Sequence, residues 1–463
     1  MSTVEARSEG RPGWLARVVP ITVWLPRYHR SWLRPDLLAA LTVWALLVPE
    51  AMAYAAMAGV PPEYGLYAVP GAFLGYAVFG SSRQLIVGPS STVAILSASA
   101  VGVVALATRG DFVAISAELA LLVGAMYIVL GVARMGWVSQ FLSKSVLTGF
   151  TFGLALTIAV GQAAKLFGVE SGQGTFVDKL GHLVRELPNA DGLTTAIGLC
   201  SLAVLFFVRA RFGHRFPIAL VVVGVSIGLS SAFDWQAHGV AVVGAIPTGL
   251  PSLQLPHLSW NELAKLLMPA AGIVLVGYAE SYAGAQSLAA RHRQRIDPDQ
   301  EMTALGAANI GSAIAGGFTV DGSLSRSAAA EEAGTKSQMT GLICLAITLV
   351  TIVALTPLFH SLPEAVLGAV VIAAVWSLFN VAELRRIAKS NRYDLFAALG
   401  ALVGVCVFGL LPGLIVAVGI SFMMLVYRSS QPRMTVLARS VDQNVFVARE
   451  RWDTTDVPGV VLL

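Results

Sequence analysis

Two stretches half a chain apart decide the fold: Gln84-Leu-Ile-Val-Gly88-Pro89-Ser90-Ser91-Thr92-Val-Ala94 and Gly317-Phe-Thr-Val-Asp321-Gly322-Ser323-Leu-Ser325-Arg326-Ser327. Each begins with a short extended run containing β-branched residues, passes through glycine, and ends in hydroxyl residues that can cap a helix. Each therefore reads as a short strand leading into a half-helix. Pro89 fits the first helical turn, where its missing N–H would have no partner in any case. A helix that starts at mid-depth offers free N–H groups and about half a positive charge. Two such starts facing one another, with the hydroxyls of Ser90, Ser91, Ser323 and Ser325 between them, make an anion site. Gly, Ser and Thr also serve as packing residues between membrane helices, which is the plainer reading of either cluster taken alone.

The surrounding sequence places both breaks inside a membrane. Of the 463 residues 56% are hydrophobic and 13% charged, against about 25% charged in soluble proteins. Runs such as Leu342 to Leu358 and Ala397 to Leu411 contain no charge. With flanking residues each is long enough for the roughly 20 residues of a spanning helix, and the runs do not alternate as barrel strands do. We expect an all-α polytopic membrane protein with about fourteen spans. Extended backbone in hydrocarbon must be buried in protein or face a wet cavity, so the two broken segments should meet at the centre.

The spacing of the breaks divides the chain into two repeats of seven spans, which an odd number forces into opposite orientations. The expected organisation is a cytoplasmic segment 1–35, a first repeat 36–232, a connecting loop 233–263, a second repeat 264–428, and a linker 429–463. Basic residues fall in alternate connections: Arg27, Arg30 and Arg34; Arg134 and Lys144; Arg209, Arg211 and Arg215; Arg291, Arg293 and Arg295; Arg385, Arg386, Lys389 and Arg392. That alternation places both termini in the cytoplasm of a cell with this protein in its cell membrane. Segment 381–392 reads either as a helix along the inner surface or as a simple basic loop. The net charge of +4 follows from this topology and implies no nucleic acid.

Among the charges that fall within spans, Arg326, Glu280 and Glu50 bear on the site. Arg326 would cost about 2.5–3.5 kcal/mol near mid-membrane and needs a partner. That partner is either Glu331 or Glu332 on the same short helix, at a poor spacing, or an anion held between the helix starts. Glu280 and Glu50 are candidate proton carriers, because desolvation favours a protonated carboxyl; the alternative is an ion pair with Arg326. No enzyme is expected. The seven histidines lie in loops or at span ends, Cys200, Cys344 and Cys406 have no metal-ligand spacing, and no phosphate-cradling loop is present. Neither a metal nor a cofactor is called for.

Pro49 to Tyr67, PEAMAYAAMAGVPPEYGLY, with Phe79-Gly-Ser-Ser-Arg-Gln84 and Gly88-Pro-Ser90, resembles the signature of the SulP family of sulfate permeases and anion exchangers. Gly322-Ser-Leu-Ser-Arg-Ser327 and Gly334-Thr-Lys-Ser-Gln338 are similar to its second-half motif, and the likeness covers nearly the whole chain. The resemblance implies two inverted repeats folded into a core and a gate, an anion between the starts of spans 3 and 10, elevator-like alternating access, and often a dimer. Carried over by position, it points to Ser90, Ser325, Arg326, Glu50 and Tyr54 as substrate-binding residues. Glu50 stands where many members have Gln, and Gly284 replaces the Thr of sodium-driven bicarbonate relatives. Both departures point to protons rather than sodium as the coupling ion. The resemblance also implies a cytoplasmic STAS domain, with Asp456 to Leu463 as its opening strand.

The resulting expectation is a proton-coupled carrier of small anions, sulfate first, bicarbonate and dicarboxylates next. Rival readings are an uncoupled anion channel or voltage-responsive motor, a nucleobase carrier whose carboxylates bind base edges, and a mere membrane anchor. The anchor reading leaves the duplicated breaks without a purpose.

Overall fold

The computed structural model describes residues 18–137, 143–212, 217–247, 249–256, 260–390, 392–430, 437–440, 445–448 and 454–455. Its first half runs α1 (Leu33–Ala58), α2 (Pro62–Phe79), β1 (Ile86–Gly88), α3 (Ser91–Thr108), α4 (Phe112–Val132), α5 (Lys144–Phe167), α6 (Phe176–Glu186), α7 (Gly192–Phe212) and α8 (Ile218–Phe233). The second half repeats the order: α9 (Trp260–Arg291), α10 (Pro298–Ile314), β2 (Asp321–Ser323), α11 (Leu324–Glu332), α12 (Met339–Val350), α13 (Glu364–Val375), α14 (Val381–Ser390), α15 (Arg392–Phe408) and α16 (Leu410–Ser430). Each half thus holds seven spans, the third preceded by a strand, with one short extra helix between the fifth and sixth.

Large apolar side chains on the outer faces, among them Leu106, Val132, Phe207, Met268, Phe396 and Met423, are exposed. In water such a surface would be a liability; in hydrocarbon it is the expected contact. The start and stop signals are local. Pro61 and Pro62 open α2, and α1 ends on Gly59 at φ +80°, a left-handed cap that glycine adopts without strain. A Cβ there would also sit 2.8 Å from the Phe112 ring.

The two extra helices lie outside the spans. Within segment 381–392, Val381–Ser390 is helical rather than a simple loop, and Glu383 at its start meets Lys144 at 2.8 Å and Arg386 at 3.6 Å. α6 was not anticipated within the connection 167–190. Its signal was present, because Thr175 and Asp178 form a reciprocal capping box, and Phe176, Leu180 and Leu183 recur on one face.

Packing sorts the spans into two bodies. α1, α2, α3 and α4 pack with α9, α10, α11 and α12, while α5, α7 and α8 pack with α13, α15 and α16. Within the first body α10 lies between α2 and α4. Gly71 of α2 abuts the Gly311 backbone, and Gly124 of α4 approaches the Gly306 carbonyl at 2.9 Å from where its Cβ would be. Small residues permit this approach, as is usual between membrane helices. α1 is the chief link between the bodies, touching α8 and α13 on the far side.

At the centre β1 pairs antiparallel with β2, with Ile86 opposite Ser323, Val87 opposite Gly322 and Gly88 opposite Asp321. The two broken segments meet, and the ladder satisfies backbone groups that hydrocarbon could not. Near the end of the chain, three short strands at Leu437–Ser440, Phe446–Ala448 and Thr454–Thr455 form an antiparallel sheet with the first of them in the middle. The expected strand Asp456 to Leu463 lies outside the described residues, as does most of segment 1–35 before Val18.

Candidate functional site

The site is assembled where β1 and β2 hand over to α3 and α11. Gly322 N–H donates to Ser281 Oγ at 2.8 Å, and a Cβ on Gly322 would meet Leu85 Cδ2 and Ser281 Cβ at 3.0 Å. Only a bare Cα lets β2 lie this close to α9. Ile86 N–H donates to Ser327 Oγ at 2.8 Å, and that hydroxyl donates back to the Ser323 carbonyl at 2.7 Å. These bonds lock the start of α11 against β1, so Arg326 has a fixed origin.

From that origin the Arg326 side chain runs over Gly88. A Cβ on Gly88 would stand 3.7 Å from Nη2 and 3.8 Å from Leu47 Cδ1. The guanidinium is fully buried, and Nε, Nη1 and Nη2 make no hydrogen bond. Glu50 Oε2 on α1 lies 3.7 Å from Nη1, close enough for charge attraction and too far for a hydrogen bond. Tyr54, one turn along α1 from Glu50, is buried.

A cavity of about 60 Å³ opens here, lined by Leu46, Glu50, Arg209, Ser325, Arg326 and Ala373 among others. It lies between the two bodies, since Glu50 and Arg326 belong to one and Arg209 and Ala373 to the other. Ser90 occupies the N-cap position of α3 in extended conformation without capping it, and its buried Oγ has no hydrogen-bond partner. The first N–H groups of α3 are therefore not closed off by their own cap.

Glu280 stands on a different side of the junction. Thr92 Oγ1 donates to its Oε1 at 3.4 Å, and Asp321 is its charged neighbour. Glu280 does not pair with Arg326; that place is taken by Glu50. Glu331 is likewise engaged elsewhere, at 3.0 Å from Arg291 Nη1 and 2.8 Å from His292 Nε2, and Glu332 is exposed; the carboxylate beside Arg326 is that of Glu50.

Of the residues singled out from sequence, Glu50, Ser325 and Arg326 line one cavity, with Tyr54 beside Glu50 and Ser90 at the adjoining helix start. Ser91 is the buried first residue of α3, and Ser323 caps α11 by accepting the Arg326 N–H at 3.4 Å. Two residues were missed. Asp321 is buried with neither carboxylate oxygen hydrogen-bonded; its signal was an acidic side chain inside the extended run before Gly322. Arg209 read as a loop charge, and nothing in its local sequence points to the cavity. Among the described residues no group of three His, Cys, Asp or Glu could hold a metal.

A buried guanidinium with open donors, the Ser90 hydroxyl and two helix starts can together receive an oxyanion. These features define an integral membrane protein of the transporter class. A family model described as the sulfate permease family matches residues 33–401, and the chain belongs to that family of anion transporters. A probable sulfate transporter of Mycobacterium tuberculosis is 35% identical over 425 residues, covering 92% of this chain and 75% of its own length. Solute carrier family 26 member 6 of Homo sapiens is 31% identical over 93% of this chain and 60% of its own. Among solved structures, the murine solute carrier 26 family member A9 anion transporter, in the inward-facing state, superposes with a TM-score of 0.82. It shares 25% identity over 99% of this chain and 79% of that one. The transmembrane domain of the cyanobacterial bicarbonate transporter BicA shares the fold at a TM-score of 0.73, with 22% identity over 85% of this chain and 99% of that one.

Proposed function

We propose that this protein is a secondary active transporter that moves small oxyanions across the cell membrane, sulfate first among them, with Glu50 and Glu280 coupling the movement to protons. The observation that carries the reading is Arg326, fully buried with no hydrogen bond to any of its three guanidinium nitrogens. A buried charge left in this state is costly, and an oxyanion supplies the bidentate acceptor that the group lacks. Ser90, Ser325 and the two opposed helix starts supply further donors and positive potential.

Proton coupling is supported by the position of Glu50. An ionised carboxylate 3.7 Å from Arg326 competes with the substrate for the guanidinium, and a protonated one does not. The half-buried Glu280 and the buried Asp321 form a second pair of neighbouring carboxyls that cannot both ionise cheaply. Coupling by protons through this pair is our reading of Glu280. The division into two bodies, with the site on one of them and the cavity between, fits movement of α1–α4 and α9–α12 against the remainder in an elevator-like step. A dimer with both termini in the cytoplasm completes the proposal.

The test is uptake of labelled sulfate into liposomes holding the purified protein, under an inward proton gradient or an inward sodium gradient. Accumulation with protons alone is expected. Accumulation with sodium alone would remove the proton role from the carboxyls, and entry of bicarbonate with no sulfate in either set would overturn the substrate.

A further inference from the structure

The cavity lined by Arg326 is also lined by a second arginine. Arg209 stands near the end of α7, and its Nη1 donates to the Ala373 carbonyl of α13 at 2.9 Å. That bond fixes it to the body that does not carry Arg326. Arg209 lines the same cavity as Glu50, Ser325 and Arg326. Arg326 itself is fully buried, lines the same cavity, and has three guanidinium nitrogens without a hydrogen-bond partner.

We propose that Arg209 is a specificity-determining residue of the transport site, acting with Arg326 as a pair of cations across the cavity that selects doubly charged oxyanions over singly charged ones. The inference rests on the proposed anion transport and deepens it. With Glu50 protonated, two positive groups on the walls of one small, largely apolar space repel, and the repulsion is little screened there. A dianion between them is attracted by both and separates them; a monoanion leaves part of that repulsion uncompensated. Because the two arginines stand on different bodies, a bound dianion also holds the bodies together in this arrangement. Leu46, Leu205, Ile218 and Val370 complete the walls and offer no competing hydrogen bonds.

The plainer role for Arg209 is structural: it hydrogen-bonds a carbonyl in the last turn of α13, where such groups lack helical partners. That role would affect all substrates alike. The experiment compares initial uptake of labelled sulfate and labelled nitrate by wild type, Arg209→Lys and Arg209→Gln in proteoliposomes at fixed ionic strength. Arg209→Gln is expected to lower the sulfate-to-nitrate ratio about tenfold or more, the loss of one charge-assisted contact, while Arg209→Lys keeps most of it. An unchanged ratio, or an equal fall for both anions, overturns the inference and leaves anion transport standing. Failure of the wild type to carry either anion would take the proposed function down with it. Competition on wild-type protein needs no variant: divalent selenate and thiosulfate should inhibit sulfate uptake far better than nitrate or bicarbonate, and equal inhibition would sink the pairing.

Discussion

Replacing Arg326 by Met tests the site most directly, because Met keeps an unbranched stem of similar reach and removes only the charge and the donors. Two charge-assisted hydrogen bonds from the guanidinium to an oxyanion are worth about 1.5–3 kcal/mol each. Their loss amounts to about 3–6 kcal/mol, or roughly a hundredfold to ten-thousandfold in Kd. The assay is thermal unfolding of the purified protein in detergent, with and without sulfate at about a hundred times the wild-type Kd. At that concentration the ligand stabilises the wild type by about 2.7 kcal/mol. For a variant weakened a hundredfold, the same sulfate only matches its Kd, and stabilisation falls to about 0.4 kcal/mol. Without sulfate the variant should melt no lower than wild type. The wild-type guanidinium makes no hydrogen bond to lose, and the Glu50 carboxyl, deprived of its ion pair at 3.7 Å, can take a proton. A variant that folds and is still stabilised by sulfate to nearly the wild-type extent would refute the assignment of Arg326 to the anion.

Glu280→Gln should carry a fixed neutral side chain in place of a titrating one, so proton-driven sulfate accumulation is expected to vanish; uptake with an unaltered response to the proton gradient would move coupling to Glu50 or elsewhere. Glu301 accepts from Tyr76 Oη at 2.6 Å, Ser81 N at 2.9 Å, Ser81 Oγ at 2.7 Å and Ser82 N at 2.8 Å. Glu301→Gln turns one acceptor into a donor facing donors, and a loss of about 1.5–3 kcal/mol should appear as a lower melting temperature. Gly71→Ala puts a methyl onto the Gly311 carbonyl and backbone, so α2 and α10 must part; poor yield of monodisperse protein is expected, and a variant as stable as wild type would contradict the contact.

How much of this was legible depends on whether the information is local. The breaks at Gly88-Pro89-Ser90 and Asp321-Gly322-Ser323 were readable because a strand-to-helix change in an apolar run is written in consecutive residues. Arg326 was readable because hydrocarbon makes any arginine there exceptional. The helix α6 was legible in the Thr175–Asp178 capping box yet passed over, since its apolar face is too short to register as a span. For Glu50 and Glu280 the sequence placed both carboxyls at depth and left open which one faces Arg326.

The sequence by itself determined that the chain is a membrane protein of two repeats whose broken spans meet at a buried arginine. Hydropathy, turn chemistry and the cost of charge in lipid are properties of each segment. Only the tertiary structure decided that Glu50 stands 3.7 Å from Arg326 while Glu280 faces Thr92 and Asp321, and that Arg209 closes the same cavity from the other body. Those pairings join residues far apart in the chain. They are set by the register of β1 on β2 and by how closely glycine lets the helices approach, quantities that no single segment contains.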